Sequence, residues 1–312
     1  MRNMQNNNSK GESMRKDKNL LQKFSRGPIP WLAPIFLVLG VFYLIPLADV
    51  IKTSFTDATM TNPAGNGFTL NSYLKIFQDK AFGDVLFVTF FFVTFSVVFQ
   101  FLLGFLIALA VNAAEDRHMR GTVLTRTISL VSWAIPGVAI GIIWKILYAE
   151  SGSGILNYLL SLCGTGPVAF LSDPDTALLS TSIANVWRGT AQSMILLYAG
   201  VKTVDKQLIE AASIDGATEV KRLFHIIIPG MKSVIMINIL LNIINTFNTF
   251  DMIMPLTGGG PGRSTEVLVL SVYRNIFQQL DLGGGCAVAI MLLCINIVFS
   301  VFYFFMNREN DA

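Results

Sequence analysis

Six apolar stretches leave this chain few folds to choose from, because each approaches the roughly 20 residues a helix needs to cross a bilayer. They run approximately Trp31–Ile51, Val85–Val111, Val123–Leu147, Ala177–Val201, Val234–Leu256 and Cys286–Met306. Lipid offers backbone amides no hydrogen bonds, so segments of this length must pair their own and form helices. The expected fold class is an all-α integral membrane protein with six transmembrane helices. Only 14% of the residues are charged, against roughly 25% in a soluble domain. Pro46, Pro136 and Pro255 fall inside three spans and are expected to kink them. Such breaks survive where protein or a polar cavity satisfies the freed backbone.

The basic residues orient the spans. Arg2, Lys10, Arg15, Lys16, Lys18, Lys23 and Arg26 precede the first one. Arg117 and Arg120, then Lys202, Lys206, Lys221, Arg222 and Lys232, and finally Arg308 fall on the same side. The opposite side holds Lys75, Lys80, Arg263 and Arg274. Fifteen against four places both termini in the cytoplasm by the positive-inside rule. Directly before a span, the basic tail reads as an orientation signal rather than a nucleic-acid site. The expected organisation is a mobile tail over 1–26, a first helix and extracytoplasmic connection over 27–80, a five-helix core over 81–307, and a short cytoplasmic end over 308–312. A cleaved signal peptide is not expected, since the first apolar run is too long for one. Arg126 and Lys145, taken as one helix, would stand roughly 28 Å apart and each reach its own interface.

Little in the chain points to chemistry of its own. Three cysteines and two histidines show no metal-ligand spacing. No paired carboxylates or nucleophile–base constellation lies within the spans. The glycines at 258–260 lack the Gly-Lys-Ser/Thr ending of a phosphate loop and instead suit a tight turn. An ion-driven transporter would want an acidic residue at mid-depth, whereas Asp49, Asp84 and Asp251 fall near span ends, Asp251 where water would solvate it. Arg188 does fall mid-span, in a structural or cavity-lining role.

One polar insertion stands out, Glu210–Pro229, EAASIDGATEVKRLFHIIIP. Asp205 can start a helix ahead of it, where a carboxylate suits the helix dipole. Small Ala211 and Ala212 permit close approach of another surface. Gly216 can end that helix in a left-handed conformation, and Thr218 can cap a second one running to Pro229. An ordinary helical hairpin would read similarly, but the spacing resembles the cytoplasmic coupling loop of ABC importer permeases. Ile228 stands where that pattern usually has Leu, and Asp205 where many relatives have Pro. Phe250–Pro261, FDMIMPLTGGGP, with Asn71, Ser72, Tyr73 and Trp187, is similar to maltose-transporter-like sugar permeases.

That resemblance implies a type I ABC importer permease in a bacterial or archaeal cytoplasmic (inner) membrane. It implies a second homologous permease, two ABC ATPase subunits gripping Glu210, Ala211, Ala212, Gly216 and Pro229, and an extracytoplasmic sugar-binding protein. ATP and Mg would be bound by the ATPase partner and no cofactor by this chain. A sugar needs amides, hydroxyls and an aromatic face. Asn242, Asn245, Thr246 and Thr249 share one face of the fifth span, and Asn185, Gly189 and Gln192 one face of the fourth. These positions resemble the sugar-contacting ones of the maltose-type permease. The competing reading is bonding between helices, worth roughly 0.6 kcal/mol a pair.

Overall fold

A computed structural model describes residues 29–150 and 154–308. The expected tail over 1–26 and residues 309–312 lie outside the described part. The chain divides into two compact units after Thr53. The first holds α1 (Ile29–Leu39), a π turn over Gly40–Leu44, and nearly all of α2 (Ile45–Ser54). The turn sits just ahead of Pro46, whose ring would crowd the carbonyl four residues back and which has no N–H to give. Ile45 N–H donates to Gly40 O, so the helix winds through the expected kink site instead of breaking.

The second unit contains α3 (Asn71–Gln78), α4 (Lys80–Asp116), α5 (Thr122–Ala134), α6 (Gly137–Leu147), α7 (Ile155–Leu162), α8 (Pro174–Thr203), α9 (Lys206–Ile214) and α10 (Glu219–Arg222). After a second π turn come α11 (Ile228–Gly230), α12 (Lys232–Phe247), α13 (Ile253–Leu256) and α14 (Leu268–Tyr273). A third π turn leads to α15 (Leu282–Arg308). No strand occurs among the described residues; Thr59 and Asp281 form one isolated bridge.

Three helices, Trp31–Ser54, Lys80–Asp116 and Leu282–Asn307, are long and apolar enough to cross a membrane. The number is up to five if two bent pairs each count as one span. The six expected spans are thus not all continuous apolar helices. The 30-residue α8 is long enough but too polar, because its Asn, Gln and Arg residues face a cavity.

Two expectations need correction. The third span is broken, not kinked: α5 and α6 meet at 98°. Pro136 pushes Ile135 out of helical geometry, to φ −75° and ψ 131°, and Pro136 itself caps α6. Arg126 and Lys145 therefore do not lie on one axis. Arg126 donates to Tyr198 Oη at 3.0 Å and stands 3.4 Å from Glu115. The fifth span, in turn, stops at Phe247 rather than Leu256. There Asn248 caps the end, its Nδ2 donating to the Ile244 carbonyl at 2.7 Å. Pro255 falls in the separate turn α13 and kinks nothing.

Helices α4 and α8 form the axis of this unit and run the same way. Gln100 Nε2 donates to Asn185 O at 3.0 Å near one level. Glu115 takes Tyr198 Oη–H and stands 3.0 Å from Lys202 Nζ further along both helices. Parallel neighbours require the segment between them, which holds α5 and α6, to return the chain to the end at which α4 began.

Beyond α13, the chain turns through Gly258 and Gly259, at φ 61° and 93°, a conformation glycine adopts without a Cβ penalty. Behind the turn, Glu266 is only 4% exposed at its side chain. Arg263 holds it at 2.6 and 3.1 Å and Arg274 at 2.7 Å, while Arg263 also reaches Asp79 at 3.4 Å. Burial works against the charged Arg263, but Glu266 and then Asp79 outweigh it and raise its pKa. Glu266→Gln removes the carboxylate that both arginines share and leaves Arg263 only Asp79 at 3.4 Å. We expect a loss of about 2 kcal/mol, below the value for a fully buried pair because both arginines are partly hydrated. The thermal unfolding midpoint in detergent measures it; an unchanged midpoint would assign the network no structural weight.

Candidate functional site

The Glu210 segment folds as a compact helix–turn–helix. Asp205 caps α9, accepting from Gln207 N at 2.9 Å. Gly216 ends it at φ 76°, with Ala217 N–H closing back on Ala212 O at 2.9 Å. Thr218 caps the return helix, which runs continuously from Glu219 to Gly230. Arg222 bonds Ser213 across the turn. Glu210, Ala211, Gly216 and Pro229 are exposed and Ala212 half-buried.

The sequence pattern did not single out the apolar residues on this element. Ile214 is 88% exposed at the tip, and Leu208, Val220 and Phe224 are exposed as well. Their spacing on a charged loop was the available signal.

A cavity of about 510 Å³ lies between α4, α8 and α12. All seven residues expected from the sequence line it: Asn185, Gly189, Gln192, Asn242, Asn245, Thr246 and Thr249. Several also bond between helices, as the competing reading expects. Asn245 Nδ2 donates to Gln192 Oε1 at 3.1 Å, and Asn242 Nδ2 to Ser193 Oγ at 2.7 Å. Asn185 Nδ2 is buried without a partner in the protein. Gly189 is small because Gln100 lies across it; an added Cβ would come 2.3 Å from Gln100 Cδ.

Sequence reasoning missed Gln100, Trp133 and Asn248 in this wall. It misjudged Asp251. That carboxylate is not simply solvated but accepts both arms of Arg188, at 2.9 and 2.8 Å, and both residues line the cavity. With helix α12 ended at Phe247, the following turn brings Asp251 back to α8. What the cavity offers a solute is amide and hydroxyl groups, one indole and one neutralised charge pair.

A family model described as binding-protein-dependent transport system inner membrane component matches residues 101–310. The trehalose/maltose transport system permease protein MalF of Thermococcus litoralis is 31% identical over 277 residues, 89% of this chain and 92% of that protein. The sn-glycerol-3-phosphate transport system permease protein UgpA of Agrobacterium fabrum is 29% identical over 279 residues, 88% of this chain and 93% of its own length. In fold, the chain is similar to a subunit of a bacterial ABC transporter that imports the acidic polysaccharide alginate. That match has a TM-score of 0.81 at 20% identity, covering 93% of this chain and 99% of the other. Length, helical architecture and family match agree, and the chain belongs to the binding-protein-dependent transport system inner membrane components.

Proposed function

We propose that this permease carries a sugar or small oligosaccharide inward across the cytoplasmic membrane, driven by ATP hydrolysed in a partner. Two ATPase subunits bind ATP and Mg and dock on the Glu210–Gly216 turn here and on the matching turn of a second, homologous permease. An extracytoplasmic binding protein delivers the solute to the opposite face. The basic-residue bias supports termini and turn in the cytoplasm. Closure of the ATPases moves the turn and shifts the permease between inward- and outward-facing states, which the solute and the nucleotide favour differently.

The observation that carries this reading is the rigid turn tipped by exposed Ile214, in one chain with a cavity walled by amides and hydroxyls. The test is mild detergent purification of the full chain from its native membrane, with identification of the proteins that come with it. A stoichiometric ATPase and a second permease are expected. Ile214→Asp is expected to lose the ATPase and keep the permease, since a central apolar anchor is commonly worth about 2 kcal/mol or more of binding. A chain that purifies alone, with uptake that collapses when the ion gradient is dissipated, would favour a secondary transporter instead.

A further inference from the structure

Sequence similarity leaves the charge of the solute open, because the relatives named above include permeases for trehalose/maltose and for glycerol-3-phosphate. The cavity itself is more informative. Twelve residues line it, and Arg188 and Asp251 are its charged members. Each neutralises the other through the two-pronged bond at 2.9 and 2.8 Å. That fork is the geometry with which a guanidinium takes a carboxylate or phosphate, so Asp251 occupies the place an anionic solute would seek.

Asp251 is also held from behind. Its carboxylate rests on Gly137, where an added Cβ would fall 1.8 Å from Oδ2. Gly137 is the first residue of α6, and the partial positive charge of a helix start favours a carboxylate beside it. An anion entering the cavity would have to displace this carboxylate and then remain next to it. An uncharged solute meets no such cost, and finds the Asn245 and Gln192 amides around it.

We propose that Asp251, by occupying Arg188, makes this cavity selective for uncharged polyhydroxylated solutes over anionic ones. The proposal rests on the carbohydrate-importer reading. It is tested on the purified complex, ATPases and second permease included and binding protein omitted, by equilibrium binding of maltose and glucose against the C6 uronic acid of each, which keeps the pyranose ring and adds the charge. For wild type, the acids are expected to bind at least about tenfold more weakly than the neutral sugars. Asp251→Asn is expected to tighten the acids and close that gap, and Arg188→Gln added to it to remove the gain. Equal binding of sugar and acid by wild type overturns the proposal without any variant having to fold. An Asp251→Asn change that affects both equally also overturns it, leaving the pair a structural tie. A wild-type complex that binds the acids and not the sugars overturns the carbohydrate reading and the proposal with it.

Discussion

A Gly216→Pro chain is expected to reach the membrane in normal amount and to support no ATP-driven uptake. Gly216 sits at φ 76°, whereas proline is locked near −65°. The substitution also deletes the N–H that Gly216 donates to Ser213 O at 3.2 Å. The α9 helix would lose its stop, and Ile214 and the return helix would point elsewhere. No atom lies within 4 Å of where a Gly216 side chain would begin, so a side chain there meets no packing clash. Gly216→Ala is the matched control: it meets no clash and carries only the left-handed penalty, about 1 kcal/mol, so most uptake should remain. Uptake into membrane vesicles, read beside the amount of protein in the membrane, separates these outcomes. Normal uptake by the proline variant would sink the assignment of this turn to coupling.

What the sequence revealed depended on whether a feature is local. Asp205, Gly216 and Thr218 do what their chemistry dictates within a few residues, and the helix–turn–helix was legible from them. The cavity-lining set was legible too, because i, i+3, i+4 spacing places Asn242, Asn245 and Thr246 on one face whatever that face meets. The 98° bend was not. Pro136 announces a break, but the angle is set by packing, with Gly137 against Asp251 and Gly141 against the Met252 carbonyl and Pro255. These contacts join residues more than 100 positions apart. Asp251 was misjudged for a related reason: a helix assumed to run to Leu256 carries it away from Arg188, and one ending at Phe247 returns it. The helix end at Phe247 decides between the two.

The close crossing of α4 and α8 gives the largest expected loss of structure. A Cβ on Gly104 would lie 2.5 Å from Ser193 Cβ, 2.8 Å from Met194 N and 3.0 Å from Ser193 C. Two of these atoms are backbone, so no rotamer change relieves the overlap, and the helices must separate. Small residues at such crossings matter more in lipid, where packing rather than water drives helices together. Gly104→Val should cost about 3 kcal/mol or more, the upper end of overpacking effects. It should appear as aggregated protein on size-exclusion chromatography and a collapsed unfolding midpoint, with uptake lost as a consequence. Gly104→Ala should lower the midpoint less. Adding Ser193→Gly should recover only part of that loss, because Asn242 then loses the Ser193 hydroxyl it bonds at 2.7 Å and keeps only Asn238 Oδ1 at 3.3 Å. One turn along both helices the roles reverse, with Gly189 of α8 admitting Gln100 of α4. The register that seats the helices is therefore the one that forms the cavity wall, and Gly104→Val should remove both together. A stable, transporting Gly104→Val protein would show that the two helices can part without opening the site.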